Sequence, residues 1–397
     1  MPQVSRRQFM VGSGVLGALG ALGASAITWD ELQHRAGTTP LPAGSGILVV
    51  LTMYGGNDGI NTVIPYADNA YHDARPELSY RPEEVLHLDS QLGLNPAMKG
   101  LADLWSKHNL AIVRGVGYPK PDHSHFRSMD IWQTAVPDAP APTGWIGRWL
   151  DATGTDPLRA VNIGSVLPTL AIGAKQTASA LDPYSAPLSA PLKAELAGLA
   201  APDPHDSAAQ GYVCSGYGAE QTVSHTFSSI ESVKRKPGTN ALAAQLDLVS
   251  QCVKAGVPTR VYSVSLGGFD THADERQTQQ DLLGRMDTAV TGFLRDMAGH
   301  PRGRDVVLVA YSEFGRRVRA NASQGTDHGT AGPVFVAGAP VKGGFYGDEP
   351  SLTDLDDGDL KTTVDFRDIY NELLQRVVST DPAPVVGTGR RDLGLIA

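Results

Sequence analysis

Gly46-Ile-Leu-Val-Val-Leu-Thr-Met-Tyr54 is a continuous apolar, largely β-branched run that stops at Gly55-Gly56. A strand with one solvated face alternates apolar and polar residues, so an unbroken run reads as a strand covered on both faces, the mark of a parallel sheet. Working outward, Asn95-Pro96 opens a segment, Ala97 to Lys107, with Met98, Leu101, Leu104 and Trp105 at helical spacing. Leu110-Ala-Ile-Val-Arg114 is a second strand, and Ser124 to Thr134 reads as the helix after it. Arg260 to Leu266, Asp305 to Tyr311 and Gly332 to Gly338 give three more strands, with helical patterns over Gln221 to Ala255 and Asp274 to Met297. This order predicts an α/β fold in which a largely parallel sheet is sandwiched by helices in three α/β/α layers.

The composition suits one large domain. With 41% hydrophobic and 19% charged residues in 397, the chain can bury a sizeable core, and 44 Gly with 27 Pro point to many sharp loops. We place a single domain over residues 46–397, with a loop or lid-like insertion near 178–210, where Ala, Pro and Ser crowd together. The net charge is −9, and residues 1–26 hold Arg6 and Arg7 without an acid, so their removal leaves −9 − 2 = −11. That balance excludes a nucleic-acid partner, which calls for a basic face. The basic run Arg316-Arg317-x-Arg319 reads as a solvated face.

The N-terminus reads Ser5-Arg6-Arg7-Gln8-Phe9-Met10, then a Gly/Ala-rich apolar run to Gly23 and the small-x-small triplet Ala24-Ser25-Ala26. Twin arginines before such a segment predict a twin-arginine signal peptide over residues 1–26, followed by a linker over 27–45. The translocon is then a partner during export, and the destination is periplasmic, cell-surface or secreted. The apolar run is shorter than the roughly 18–20 residues that span a bilayer, so no stable membrane span is expected after cleavage. Cys214 and Cys252 are the only cysteines, open to one disulfide or to two buried thiols, and without Cys-x-x-Cys a zinc ribbon is excluded.

In open α/β sheets, ligands bind beyond the carboxyl ends of the strands. There the sequence places Asp58 in Gly55-Gly-Asn-Asp-Gly59, His123, Ser124, His125 and Arg127 after the second strand, and Asp270 with His272 after the third. Glu313 follows the fourth strand, and Asp327-His328 precede the fifth. Taken singly, Asp58 is as well explained as a turn residue, Glu313 as a capping acid and Ser124 as a helix N-cap. Together they make Asp58, His125, Asp270, His272, Glu313, Asp327 and His328 candidate ligands for a divalent metal. Zinc suits this mixture best, with manganese, magnesium or calcium compatible with the carboxylates. Ser124, at a helix N-terminus that favours anions, is the candidate nucleophile. Ser128, one turn further along, is expected to tolerate Ala.

Met53-Tyr-Gly-Gly-Asn-Asp-Gly59, Ser124-His-Phe-Arg-Ser-Met-Asp-Ile-Trp132, Gly267-Gly-Phe-Asp-Thr-His272, Ser312-Glu-Phe-Gly-Arg316, Thr326-Asp-His-Gly329 and Asp365-Phe-Arg367, after a twin-arginine start, resemble the DUF1501 family. The resemblance implies an alkaline phosphatase-like fold, of the superfamily that hydrolyses or transfers phosphate and sulfate esters at one or two metals. It implies Asp58 as a first-strand metal acid, Ser124 as nucleophile, Asp270 with His272 as an acid/histidine pair, and His328 as the histidine completing that metal. Phe314 departs from it where the superfamily has histidine, so a second metal would draw on His125, His123 or Asp327. The implied activity is an exported metal-dependent hydrolase of small-molecule or glycan-linked phosphate or sulfate esters, phosphatase-, phosphodiesterase- or sulfatase-like, with Arg127 stabilising charge. The alternative is a catalytically degenerate binding or assembly protein on the same fold, which Phe314 favours.

Overall fold

The run beginning at Gly46 forms β1 (Ile47–Tyr54), buried from Ile47 to Met53. The computed structural model describes residues 25–26, 29–164, 166–181 and 240–397. The other sheet strands are β2 (Leu110–Gly117), β3 (Ala160–Ile163), β4 (Ser179–Leu181), β5 (Val261–Gly267), β6 (Val306–Ser312), β7 (Gly332–Ala337), β8 (Gly344–Tyr346) and β9 (Val364–Asp365). Across the sheet the order is β4, β3, β5, β1, β6, β7, β2, β8, with β9 beside β2 and residues Ser25–Ala26 beyond β4. β1 is central, paired in parallel with β5 and β6 over seven positions each.

Strand alternation sorts the core into two layers. Ile47, Val49, Leu51 and Met53 face α2 (Lys99–Ser106), α5 (Ala241–Ala255) and α6 (Glu275–Ala298). Leu48 and Val50 face α3 (His125–Thr134), α4 (Trp145–Thr153) and α7 (Phe366–Glu372). Each of these aliphatic side chains is essentially inaccessible, worth about 1.5–3 kcal/mol of burial apiece. The three-layer α/β/α arrangement read from the sequence is the one observed.

The alternation of strand and helix does not continue through the fourth and fifth strands. β7 runs antiparallel to both β6 and β2, and no helix separates it from β6. An antiparallel neighbour needs no crossover helix. The consequence is functional: the loop 313–331 begins and ends at the carboxyl edge of the parallel strands, which brings Asp327 and His328 to the edge that carries Asp270. Pro333 lacks an N–H, and the β7–β2 ladder shifts register between Gly332 and Val334.

The segment expected as a linker contains α1 (Trp29–Thr38), and Leu41 after it is buried, its N–H bonded to Gly256 O. Within the expected insertion, Ser179–Leu181 is β4; residues 182–210, the 221–239 part of the expected helical stretch and Cys214 lie outside the described residues. Cys252 is fully buried beside Tyr262, and burial pushes the Cys252 thiol pKa up to about 12. Among the described residues, no helix is long and apolar enough to cross a membrane.

Candidate metal centre

Three loops and one helix meet at the sheet's carboxyl edge. The turn after β1 needs its glycines: Gly55 and Gly56 have φ of +120° and +67°, and a Cβ at Gly56 would stand 2.2 Å from the Phe314 ring. α3 is held by Trp132, stacked on Tyr311 with centroids 4.7 Å apart, and by Ser128, which accepts from the Tyr118 hydroxyl at 2.8 Å and donates to Asp122 O at 2.7 Å. Ser128 is fully buried, so Ala there, expected to spare turnover far better than Ala at Ser124, removes a hydroxyl that Tyr118 and Asp122 both use. Ser128→Ala should lower stability by about 1–3 kcal/mol, the cost of stranding buried polar partners, as read from urea unfolding.

Asp270 Oδ1 is the hub. It lies 2.9 Å from His272 Nε2, 3.2 Å from His328 Nε2, 3.4 Å from His125 Nε2 and 2.8 Å from Arg316 Nη2. His272 Nε2 and His328 Nε2 are 2.9 Å apart. His125, Asp270 and His328 each offer one ligand atom within 4.8 Å of the others.

Each imidazole is oriented from behind. His328 Nδ1 meets His123 O at 2.7 Å and must donate to it, so Nε2 keeps its lone pair. His125 Nδ1 meets Glu313 Oε1 at 2.9 Å, which leaves Nε2 buried and, among the described residues, without a hydrogen-bond partner. His272 Nδ1 faces Asp327 Oδ1 at 3.4 Å. A carboxylate or carbonyl behind an imidazole is the arrangement that fixes tautomer and basicity in metal sites. Partial burial raises the Asp270 pKa, but the hydrogen bond from Arg316 and its charge, with the neighbouring His328 and His272 acting in the same direction, outweigh it and bring it to about 2. Desolvation lowers His328, with the Arg316 charge acting in the same direction. The centre therefore holds an ionised carboxylate beside a His328 imidazole that desolvation biases towards its neutral form. An orphaned His125 Nε2 and two Nε2 atoms facing each other fit a shared cation.

The seven candidate ligands thus fall into three groups. His125, Asp270, His272 and His328 converge; Glu313 and Asp327 stand behind His125 and His272. Asp58 is not in the group: it is fully buried and ion-paired with Arg75, beside Glu275. Arg127 is not there either, because its guanidinium is held by Asp130 and Pro137 O. The cation at the centre is Arg316, read from sequence as part of a solvated run. It is buried and ties Gly56 O, Thr326 O, Phe269 O and Asp270 together. Its only sequence signal is its position four residues after a strand end rich in chemistry. His123 turns its ring to Asp359, at 2.7 Å. Phe314 packs against His125 and His328, with centroids 4.8 and 4.9 Å away. Ser124 is the exposed N-cap of α3, its hydroxyl unused as a cap.

Residues 214–395 match the family model described as "Protein of unknown function (DUF1501)". That match agrees, over this part of the chain, with the resemblance read from the sequence motifs. Residues 3–23 match the twin-arginine translocation signal model, so the N-terminus carries an export signal for that pathway. Among solved structures, a protein in the alkaline phosphatase superfamily from Vibrio parahaemolyticus is similar at 11% identity, covering 95% of this chain and 81% of that one, with a TM-score of 0.44. The lipoteichoic acid synthase LtaP from Listeria monocytogenes is similar at 9% identity, 92% and 81% coverage and TM-score 0.39. The C-terminal periplasmic domain of EcEptC from Escherichia coli, in complex with Zn, is similar at 12% identity, 74% and 73% coverage and TM-score 0.35. No curated protein matches the chain.

Cleavage of the export signal near Ala26 is expected. Mass measurement of exported protein should give an N-terminus at Ile27, and changing Arg6 and Arg7 together to Lys should block export. A mature species beginning at Met1 would refute cleavage.

Proposed function

We propose that the protein is an exported metal-dependent hydrolase of phosphate or sulfate esters, with Ser124 as nucleophile. The observation that carries this reading is the convergence of three imidazole Nε2 atoms on Asp270 Oδ1, two of them oriented by Glu313 and the His123 carbonyl. Four donors about 2.0–2.2 Å from one ion in a tetrahedron stand roughly 3.3–3.6 Å from each other; Asp270 Oδ1 stands 2.9, 3.2 and 3.4 Å from the three imidazole Nε2 atoms, and His272 Nε2 stands 2.9 Å from His328 Nε2. The nitrogen-rich set favours zinc. When bound, such an ion supplies Lewis-acid polarisation of the ester and stabilises developing negative charge.

The chain's own groups do the rest. The amide groups of the first turn of α3 favour the anionic ester group next to Ser124. Ser124 Oγ forms the bond to phosphorus or sulfur as its proton leaves to solvent, the ester oxygen departs with its electron pair, and water then hydrolyses the seryl ester. Arg316 keeps Asp270 ionised and in place. A second reading, a binding or assembly protein without turnover, is favoured by Phe314, whose ring packs against two of the imidazoles.

The test uses purified mature protein, its metal content, and p-nitrophenyl phosphate, bis(p-nitrophenyl) phosphate and p-nitrophenyl sulfate. Ser124→Ala should reduce turnover by about 10³-fold or more with metal content and melting temperature unchanged. Full turnover in Ser124→Ala removes Ser124 from the mechanism. A fully metallated protein inert towards all three esters supports the second reading.

A further inference from the structure

A second feature of the carboxyl edge lies on one face of the sheet beside the metal centre. On the face towards α3 and α4, three adjacent strands begin apolar, with Ala160 on β3, Val261 on β5, and Leu48 and Val50 on β1. Two residues further along each strand that face turns polar: Asn162, then Ser263 and Ser265, then Thr52 and Tyr54. The register sets these side by side, Thr52 opposite Ser265 and Ser263 opposite Asn162. The opposite face of the same strands stays apolar to the end, through Ile163, Leu266 and Met53. Buried parallel strands have no use for hydroxyls on a core face.

These five side chains line a cavity of about 310 Å³. That volume falls in the ~300–1,000 Å³ range of small-molecule sites. Among the described residues its wall contains no charged side chain. Its polar groups retain capacity. Ser265 Oγ has no partner among the described residues, while the Ser265 backbone is held on both sides by Gln245. The Tyr54 hydroxyl accepts from Gln133 at 3.1 Å, which leaves its own proton to give, and burial raises its pKa. Apolar contact is available from Leu170, Pro168 and the exposed Val166. The cavity borders the metal centre through Tyr54, since the next residue, Gly55, donates its N–H to Glu313 Oε1 at 2.9 Å.

We propose that this cavity binds a neutral polyhydroxylated ligand, a sugar ring or short glycan unit. Uncharged hydroxyls and an amide that both donate and accept, beside aliphatic and aromatic surface, match the alternating O–H and C–H faces of a sugar. They match neither a free anion, which needs a cation or a row of N–H groups, nor a purely apolar ligand, which would leave the hydroxyls unpaired. Binding there does not require turnover; only the further role of seating the alcohol half of an ester rests on the hydrolase reading.

The experiment measures binding by calorimetry and saturation-transfer NMR, on the mature chain after chelator treatment. The probes are glucose, galactose, N-acetylglucosamine and their β-linked disaccharides, with inorganic phosphate and indole as contrasts. Saturable binding of at least one saccharide is expected, abolished by Ser265→Leu, which fills the cavity. Tyr54→Phe, which keeps the shape, should weaken it about threefold to tenfold, the worth of one hydrogen bond. Absence of saccharide binding, preference for indole or phosphate, or binding that survives both variants overturns the proposal. Because none of these readouts involves hydrolysis, inert esters would count against the hydrolase reading alone.

Discussion

Asp270→Asn should empty the metal centre. The substitution keeps the shape and an oxygen acceptor for Arg316, but removes the only anionic donor among the four converging groups. Metal per chain, measured by plasma mass spectrometry after desalting, should fall from near stoichiometric to near zero, and ester turnover with it. Glu313→Gln offers a graded comparison. Gln still accepts from His125 Nδ1 but no longer strengthens its Nε2 with a full charge, so affinity should fall by about 10–100-fold, the range for groups standing behind a ligand. Undiminished metal content in Asp270→Asn would show that the convergence serves only as a hydrogen-bonded ion network.

The residues of this centre were legible because the signals were local. Apolar runs marked the buried strands, and reactive residues immediately after them fell at one edge by the geometry of α/β sheets. His125, Asp270, His272 and His328 were all found in that way. What sequence could not supply was the second rank of contacts. Whether Glu313 binds a metal or braces His125 depends on a hydrogen bond spanning 188 positions. Asp58 follows β1 as a ligand would, yet the partner that claims it, Arg75, has no pattern around it. The antiparallel direction of β7 was likewise invisible, although the placement of His328 at the right edge depends on it. The polar face of the cavity was present in the sequence as Ser263 and Ser265, an alternation inside the run Arg260 to Leu266 that was read only as one more strand of the sheet. A strand reading based on apolar content alone passed over it.

Arg75→Leu is expected to cost more stability than any substitution at the metal centre itself. Arg75 and Asp58 are both fully buried. Arg75 also donates to Val318 O at 2.8 Å and to Arg317 O at 2.7 Å, at the start of the loop that ends in His328. Its loss leaves a buried carboxylate without a countercharge, a cost of about 3–5 kcal/mol, visible as a lower urea midpoint. Glu275 refines the test. Burial, and then the neighbouring Asp58, push its pKa up from 4.5 to about 9, and Thr326 donates to its Oε2. The folded state therefore holds a proton that the unfolded chain releases. The stabilising effect of that proton is complete below about pH 4.5 and is lost progressively as pH rises towards 9. Glu275→Gln mimics the protonated form at every pH. Its stability relative to the parent should rise between pH 5 and pH 8.5, and a difference that stays constant would mean that Glu275 is ionised in the fold.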